Sequence, residues 1–388
     1  MPAGLRLTWS RLCAGLLTAL VVGGCSSTDT IEQPAELPEV VEQVELDEVW
    51  ERSIGDGHDE QLLQLAPLVT PDAIYAASAD GELLALAPDT GKTLWQQSLD
   101  LSIMSGVGGD RRQLYLVTAD AELLALSIET GELLWQAELP NEVLASPASN
   151  GAVVVAQTID GKVLAFGAED GERRWQYDGV VPVLTLRAAA APLVGAEMTL
   201  VSFANGRLFA LDSETGQPLW QYTVGEPEGR TELERLVDVT AQPLILESAA
   251  LITGYQGQLA LVDLRSGQEI WSRKSSSLHS PMIGQGNIFV SQANGDILAY
   301  DGASRDVIWT QDRLSWRQTT QPQVVGDYLL VGDFEGYIHA LSLADGSLQG
   351  QLEFDDEGLR VPMQRLGDRV LVYGNSGKLA LLELNARD

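Results

Sequence analysis

Asp80-Gly81-Glu82-Leu83-Leu84-Ala85-Leu86-Ala87-Pro88-Asp89-Thr90-Gly91-Lys92-Thr93-Leu94-Trp95 reads as a short apolar strand held between two tight turns. It recurs down the chain. The first turn places Gly at 81, 161, 206, 257, 295, 336 and 377, with Ala121 in the equivalent place of a further copy, which makes eight units. Their spacing, 38 to 51 residues, is that of propeller blades. The second turn carries Gly91, Gly131, Gly171, Gly216, Gly267 and Gly346, with Arg305 the exception. Four residues beyond stand Trp95, Trp135, Trp175, Trp220, Trp271 and Trp309, with Gly350 in the seventh place.

Downstream of each Trp a Pro opens the next unit, at 147, 192, 243, 281 and 322; Pro362 follows Gly350, and Val107 takes the place after Trp95. A second apolar run, such as Val153-Val154-Val155-Ala156, lies between that Pro and the first turn. Each unit therefore reads as four short antiparallel strands. The last motif stops at Leu384 before any Trp, while Trp50 stands upstream of Pro67 with no turn motif before it. A ring reconciles the two fragments, because an N-terminal strand around 46–52 completes the last unit and leaves no unpaired edge between first and last. The expectation is an all-β, eight-bladed β-propeller over 45–388. The Trp placement resembles the tryptophan-docking repeat of quinoprotein-dehydrogenase-type propellers.

The chain has 388 residues, more than one ordinary core, and its 45% hydrophobic content argues against disorder. Its net charge of −31 opposes nucleic acid and anionic lipid as charge-driven partners. Arg6 and Arg11 precede an apolar run at 12–22, the layout of a secretory signal. That run is too short to cross a bilayer as a helix. It ends in Val22-Gly23-Gly24-Cys25, which resembles a bacterial lipobox and implies a signal peptide at 1–24, lipid on Cys25, and Ser26 in second place as in outer-membrane sorting. Cys13 leaves with the signal, so the mature chain has no free thiol. The acidic stretch to residue 44, with Pro34 and Pro38, reads as an extended, mobile tether.

Catalytic, cofactor-binding and metal residues are all expected to be absent. Thr90-Gly91-Lys92-Thr93 matches the tail of a phosphate-binding loop, but Leu86 stands where its first Gly belongs. His58, His279 and His339 fall in different units without carboxylate or Cys at ligand spacing. A quinone-dependent dehydrogenase would use Cys and roofing insertions that the repeats lack. Glycan binding through aromatics such as Trp316 or Tyr255 is an alternative reading.

Of the three longest connections between units, one runs from Trp50 to Pro67; the other two, from Trp175 to Pro192 and from Trp220 to Pro243, follow one another. Being consecutive, they lie side by side on one face of a propeller. The first carries Val183-Leu184-Thr185-Leu186-Arg187, the second Arg230-Thr231-Glu232-Leu233-Glu234-Arg235-Leu236-Val237-Asp238. Apolar residues with Arg in long loops fit an interface. With the lipobox, the acidic tether and eight docking-type units, the chain resembles the BamB-type lipoproteins of the machinery that inserts β-barrels into the bacterial outer membrane. That resemblance covers residues 25–388. It implies a non-catalytic scaffold that is lipid-anchored in the outer membrane and faces the periplasm. Leu184, Leu186, Arg187 and Asp238 would hold the periplasmic domains of BamA beside other machinery subunits, and unfolded outer-membrane proteins are a further possible partner through strand-edge pairing. Thr240 departs from the family pattern, where an acid is expected.

Overall fold

In every repeat the Pro, or Val107 in its place, stands directly before a very short innermost strand or one residue further upstream, as in Pro67 before Leu68–Val69 and Pro362 before Gln364–Leu366. The computed structural model describes residues 32–58, 61–187 and 190–387. The signal-peptide reading at 1–24, Cys13 and Cys25 lie outside the described residues. Within the unit Pro34–Asp388, eight four-stranded antiparallel sheets form the blades of an all-β propeller. Blade 1 runs Leu68–Val69, Ile74–Ala77, Glu82–Leu86 and Thr93–Ser98 from axis to rim. Blades 2 to 7 repeat that order, starting at Gly108, Ala148, Leu193, Leu244, Met282 and Gln323. The second and third strands of blades 1 and 2 are buried almost throughout, because neighbouring blades cover both faces of the sheet.

Blade 8 is closed by the N-terminus. Its first three strands, Gln364–Leu366, Arg369–Tyr373 and Lys378–Ala386, are joined by Val44–Ser53 as the outer strand. The register runs from Val44 opposite Ala386 to Ser53 opposite Lys378 and sets Trp50 against Leu381. The eighth outer strand, carrying the seventh docking Trp, is thus supplied from the other end of the chain.

The docking itself explains the second-turn glycines. The indole N–H groups of Trp50, Trp95, Trp135, Trp175, Trp220 and Trp309 each donate to a backbone carbonyl of the next blade, at Pro88, Ile128, Ala168, Ser213, Leu264 and Leu343, over 2.8–3.2 Å. The acceptor always lies three residues before the second-turn Gly, and the Trp ring lies against that Gly. A Cβ on Gly91 would meet Trp50 at 2.6 Å, and one on Gly216 would meet Trp175 at 2.5 Å. Both glycines also hold positive φ. The turn at Thr90-Gly91-Lys92-Thr93 is therefore a socket for Trp50. Arg305 departs from the rule and occupies the left-handed region at φ 66°. Its guanidinium lies 5.4 Å from the ring of Trp271, which among the described docking Trp residues is the one whose N–H does not reach the neighbouring blade. Gly350 takes the Trp place in blade 7 for a matching reason. Blade 8 has no turn between its third and outer strands to serve as socket, and a side chain at 350 would meet the Val44 carbonyl.

With four antiparallel strands per blade, every outer-to-inner connection emerges on one face, here the connection face, together with the turns between second and third strands. The opposite turn face carries the other two sets of turns. The tether differs from expectation at its C-terminal end. From Ala35 onward it is bound to the blades: Ala35 N–H donates to Ser315 O (2.9 Å), Arg313 to Glu39 O (3.0 Å), and Gln43 N–H to Gln349 O (2.6 Å). Pro38 is buried, and Val40 packs on the cluster containing Trp309 and Leu348. The chain is thus held to the blades well before the first strand, where composition alone indicates a mobile stretch.

Candidate partner-binding surface

The two long connections, residues 179–192 and 224–243, follow the outer strands Arg173–Asp178 and Pro218–Thr223 and lie side by side on the connection face. They are tied together by a hydrogen bond from the Leu186 N–H to Asp238 Oδ2 at 3.2 Å. Asp238 itself is 1% exposed, so it supports the surface from beneath and does not form part of it. Its Oδ1 has no partner among the described residues. Burial pushes its carboxyl up to about 6, against the opposing pull of the Leu186 and Val239 N–H groups.

Arg187 pairs with Glu142 of the preceding connection, Nη2 to Oε2 at 2.5 Å, and not with Asp238. Three consecutive connections are thereby linked in series. Arg187 also holds a left-handed backbone at φ 53°, a strained state for a side-chain-bearing residue. Asn205 anchors the first loop through the Val180 carbonyl (2.8 Å). In the second loop Glu234 accepts from the Arg230 and Thr231 N–H groups, and Thr231 Oγ1 accepts from Glu234 N–H, a reciprocal cap that shapes the turn. Thr240, where the family pattern has an acid, donates its hydroxyl to Leu278 O (2.7 Å) and ties in a fourth connection.

The outcome is a set of exposed apolar side chains on two loops tied together by the Leu186–Asp238 bond. Leu184 and Leu186 are 41% and 36% exposed, and Val180, Val183 and Leu233 are more exposed still. Arg230 and Arg235 stand exposed beside it, and neither side chain has an ion-pair partner among the described residues. Of the four residues read from the sequence, Leu184, Leu186 and Arg187 thus reach the surface, and Asp238 orients them. Sequence reasoning missed Glu142, a lone acid in a short connection, and the exposure of Leu233.

The cavity on the axis, about 450 Å³, is lined by Gln64, Ser146, Gln242, His279, Gln321 and Arg360 among others. It contains no carboxylate among its described lining residues, so the donor set does not fit the Ca²⁺ that a quinone cofactor would bring. His58 and His279 are held neutral, both lowered to about 4 chiefly by burial. His339 is buried against Asp333 at 2.8 Å.

Fold and surface together define a class: a tryptophan-docking eight-bladed propeller whose elaborated feature is a loop-borne apolar surface. Within that class, the family model for outer membrane protein assembly factor BamB matches residues 79–311 and 278–373. Outer membrane protein assembly factor BamB of Marinobacter adhaerens is 67% identical over 96% of both chains. That of Pseudomonas aeruginosa is 47% identical over 94% of this chain and 96% of its own. The chain belongs to the BamB family of outer membrane protein assembly factors. The crystal structure of BamB from Moraxella catarrhalis superposes with a TM-score of 0.79 at 27% identity, covering 87% of this chain and 99% of that one. A quinohemoprotein alcohol dehydrogenase from Comamonas testosteroni, at 13% identity and a TM-score of 0.68, shares the fold.

Proposed function

We propose that this chain is a non-catalytic scaffold of the outer-membrane β-barrel assembly machinery, anchored by lipid on Cys25 and facing the periplasm, whose paired loops bind the periplasmic domains of BamA. The observation that carries the reading is the exposure of Val183, Leu184, Leu186 and Leu233 on paired loops, which the Leu186–Asp238 hydrogen bond ties together and the Arg187–Glu142 pair links to the preceding connection. Exposed apolar side chains on loops tied together by hydrogen bonds favour a protein partner. The neighbouring Arg230 and Arg235, having no internal carboxylate among the described residues, are placed to meet acidic groups of that partner. With it goes the domain division read from the sequence: signal peptide at 1–24, lipidated tether at 25–44 and propeller at 45–388.

The direct test is binding of the purified protein to the BamA periplasmic domains. Leu184→Ala and Leu233→Ala should each weaken it severalfold or more without lowering the melting temperature. Unchanged affinity in both would remove this face as the interface. Mass spectrometry of the mature N-terminus tests the anchor, since an unmodified chain beginning elsewhere would contradict it.

A further inference from the structure

The strap at residues 35–43 crosses the rim of the propeller. Its C-terminal end leads into Val44, which pairs with Ala386 at the turn-face end of blade 8. Its N-terminal end lies on the connection face, where Ala35 bonds both ways: its N–H donates to Ser315 O, and its carbonyl accepts from Arg317 Nη1 at 3.0 Å. Arg317 is 1% exposed and is fixed by Asp333 at 2.7 Å and by Glu335. Along the way Glu39 O accepts from Arg313, Pro38 is buried, Glu42 pairs with Arg387, and Gln43 bonds Gln349. A buried, doubly paired guanidinium that spends one donor on a backbone carbonyl is a built attachment point.

We infer that this strap reverses the side from which the tether leaves, so that the face bearing the paired loops is the one turned toward the bilayer. Without it, the chain would leave at Val44 on the turn face. With it, the chain leaves ahead of Ala35 on the connection face. The nine residues 25–33 span at most about 30 Å, against about 60 Å for a chain released as far as residue 43. Half-exposed Trp316 and Phe334 flank Arg317 at the exit, the side-chain types suited to a water–lipid boundary. The inference rests on the lipid anchor proposed at Cys25 and adds an orientation and a reach to it. An interface on that side meets a partner that is itself held at the membrane.

The mature chain has no cysteine besides Cys25, so a single introduced thiol can be labelled cleanly. The experiment uses full-length lipidated protein on vesicles with acceptor dye in their headgroups and a donor at Glu232→Cys on the connection face or Glu214→Cys on the turn face. The expected result is severalfold more transfer from position 232 than from 214. Replacing residues 35–42 by Gly and Ser, with the propeller shown folded by its melting curve, should abolish or invert that ranking. Equal transfer from the two faces of the unaltered chain, or a ranking unchanged by the replacement, overturns the inference while leaving the anchor intact. Failure of the unaltered protein to float with vesicles overturns the anchor and the orientation together.

Discussion

Asp238 shows how one buried carboxylate organises a surface that it never reaches. It accepts a hydrogen bond from Leu186 N–H, and its carboxyl titrates near 6 because burial penalises the charge. The native state therefore takes up a proton at higher pH than the unfolded chain does. Its contribution is most favourable below about pH 4 and is lost as pH rises through 6. Asp238→Asn keeps an acceptor for Leu186 while removing the buried charge, so at pH 7.5 it should match or exceed the parent in melting temperature and retain the proposed BamA binding. Asp238→Ala, lacking the acceptor, should weaken binding severalfold. If Asn behaved like Ala, the charge itself would be required. Arg317 is the contrasting case. Burial would raise the Asp333 carboxyl, but the bonds from His339 and Arg317 outweigh it and hold it below its usual range. Arg317→Ala leaves that charge buried with His339 and the Glu335 and Tyr337 N–H groups but without its cationic partner, and chemical denaturation should register a loss of about 3–5 kcal/mol.

At the scale of the blade, the docking Trp is the unit of repetition, and its variants can be ranked. Trp220 is hydrogen-bonded to Leu264 O and lies against Gly267, whereas Trp271 faces Arg305 and makes no such bond. Both contribute burial, but Trp220→Ala should destabilise by about 1 kcal/mol more than Trp271→Ala, the net worth of one hydrogen bond. Equal losses would mean that the cation–π contact at Trp271 fully replaces the missing bond. The outer strand Val44–Ser53 can be tested as an element too. Truncation to residue 31 should leave the melting temperature nearly unchanged, truncation to residue 43 should lower it by removing the strap, and truncation through Ser53 should lower it most, exposing a sheet edge and emptying the Trp50 socket.

For the whole molecule, pH acts through groups of opposite sign. His58 and His279 titrate near 4 in the fold, so their contribution is full above about 6.5 and is lost as pH falls toward 4. Asp238 offsets part of this over the same range. Melting temperature should therefore decline from pH 6.5 to 4, and more steeply in Asp238→Asn; a parallel decline in both proteins would show that Asp238 does not titrate as its burial demands.

Blade number, strand count, docking Trp and closure by an N-terminal strand were all legible in the residues, because each is a local pattern repeated until accident is excluded: turn Gly, apolar run, turn Gly, Trp. Even the exceptions at Arg305 and Gly350 were visible as breaks in that pattern, although only the packing gave their reasons. Leu184, Leu186 and Arg187 could be placed on a loop surface from connection length alone. What the tertiary structure decided was which side chains face water and which pair across the ring. Asp238 is buried, Arg187 pairs with Glu142 from a blade away, and a stretch composed like a mobile tether is bound along the rim by Arg313, Arg317 and Gln349. These contacts join residues from 45 to 306 positions apart. A partner so far along the chain leaves no periodic mark on the sequence, and only folding brings it within hydrogen-bond reach.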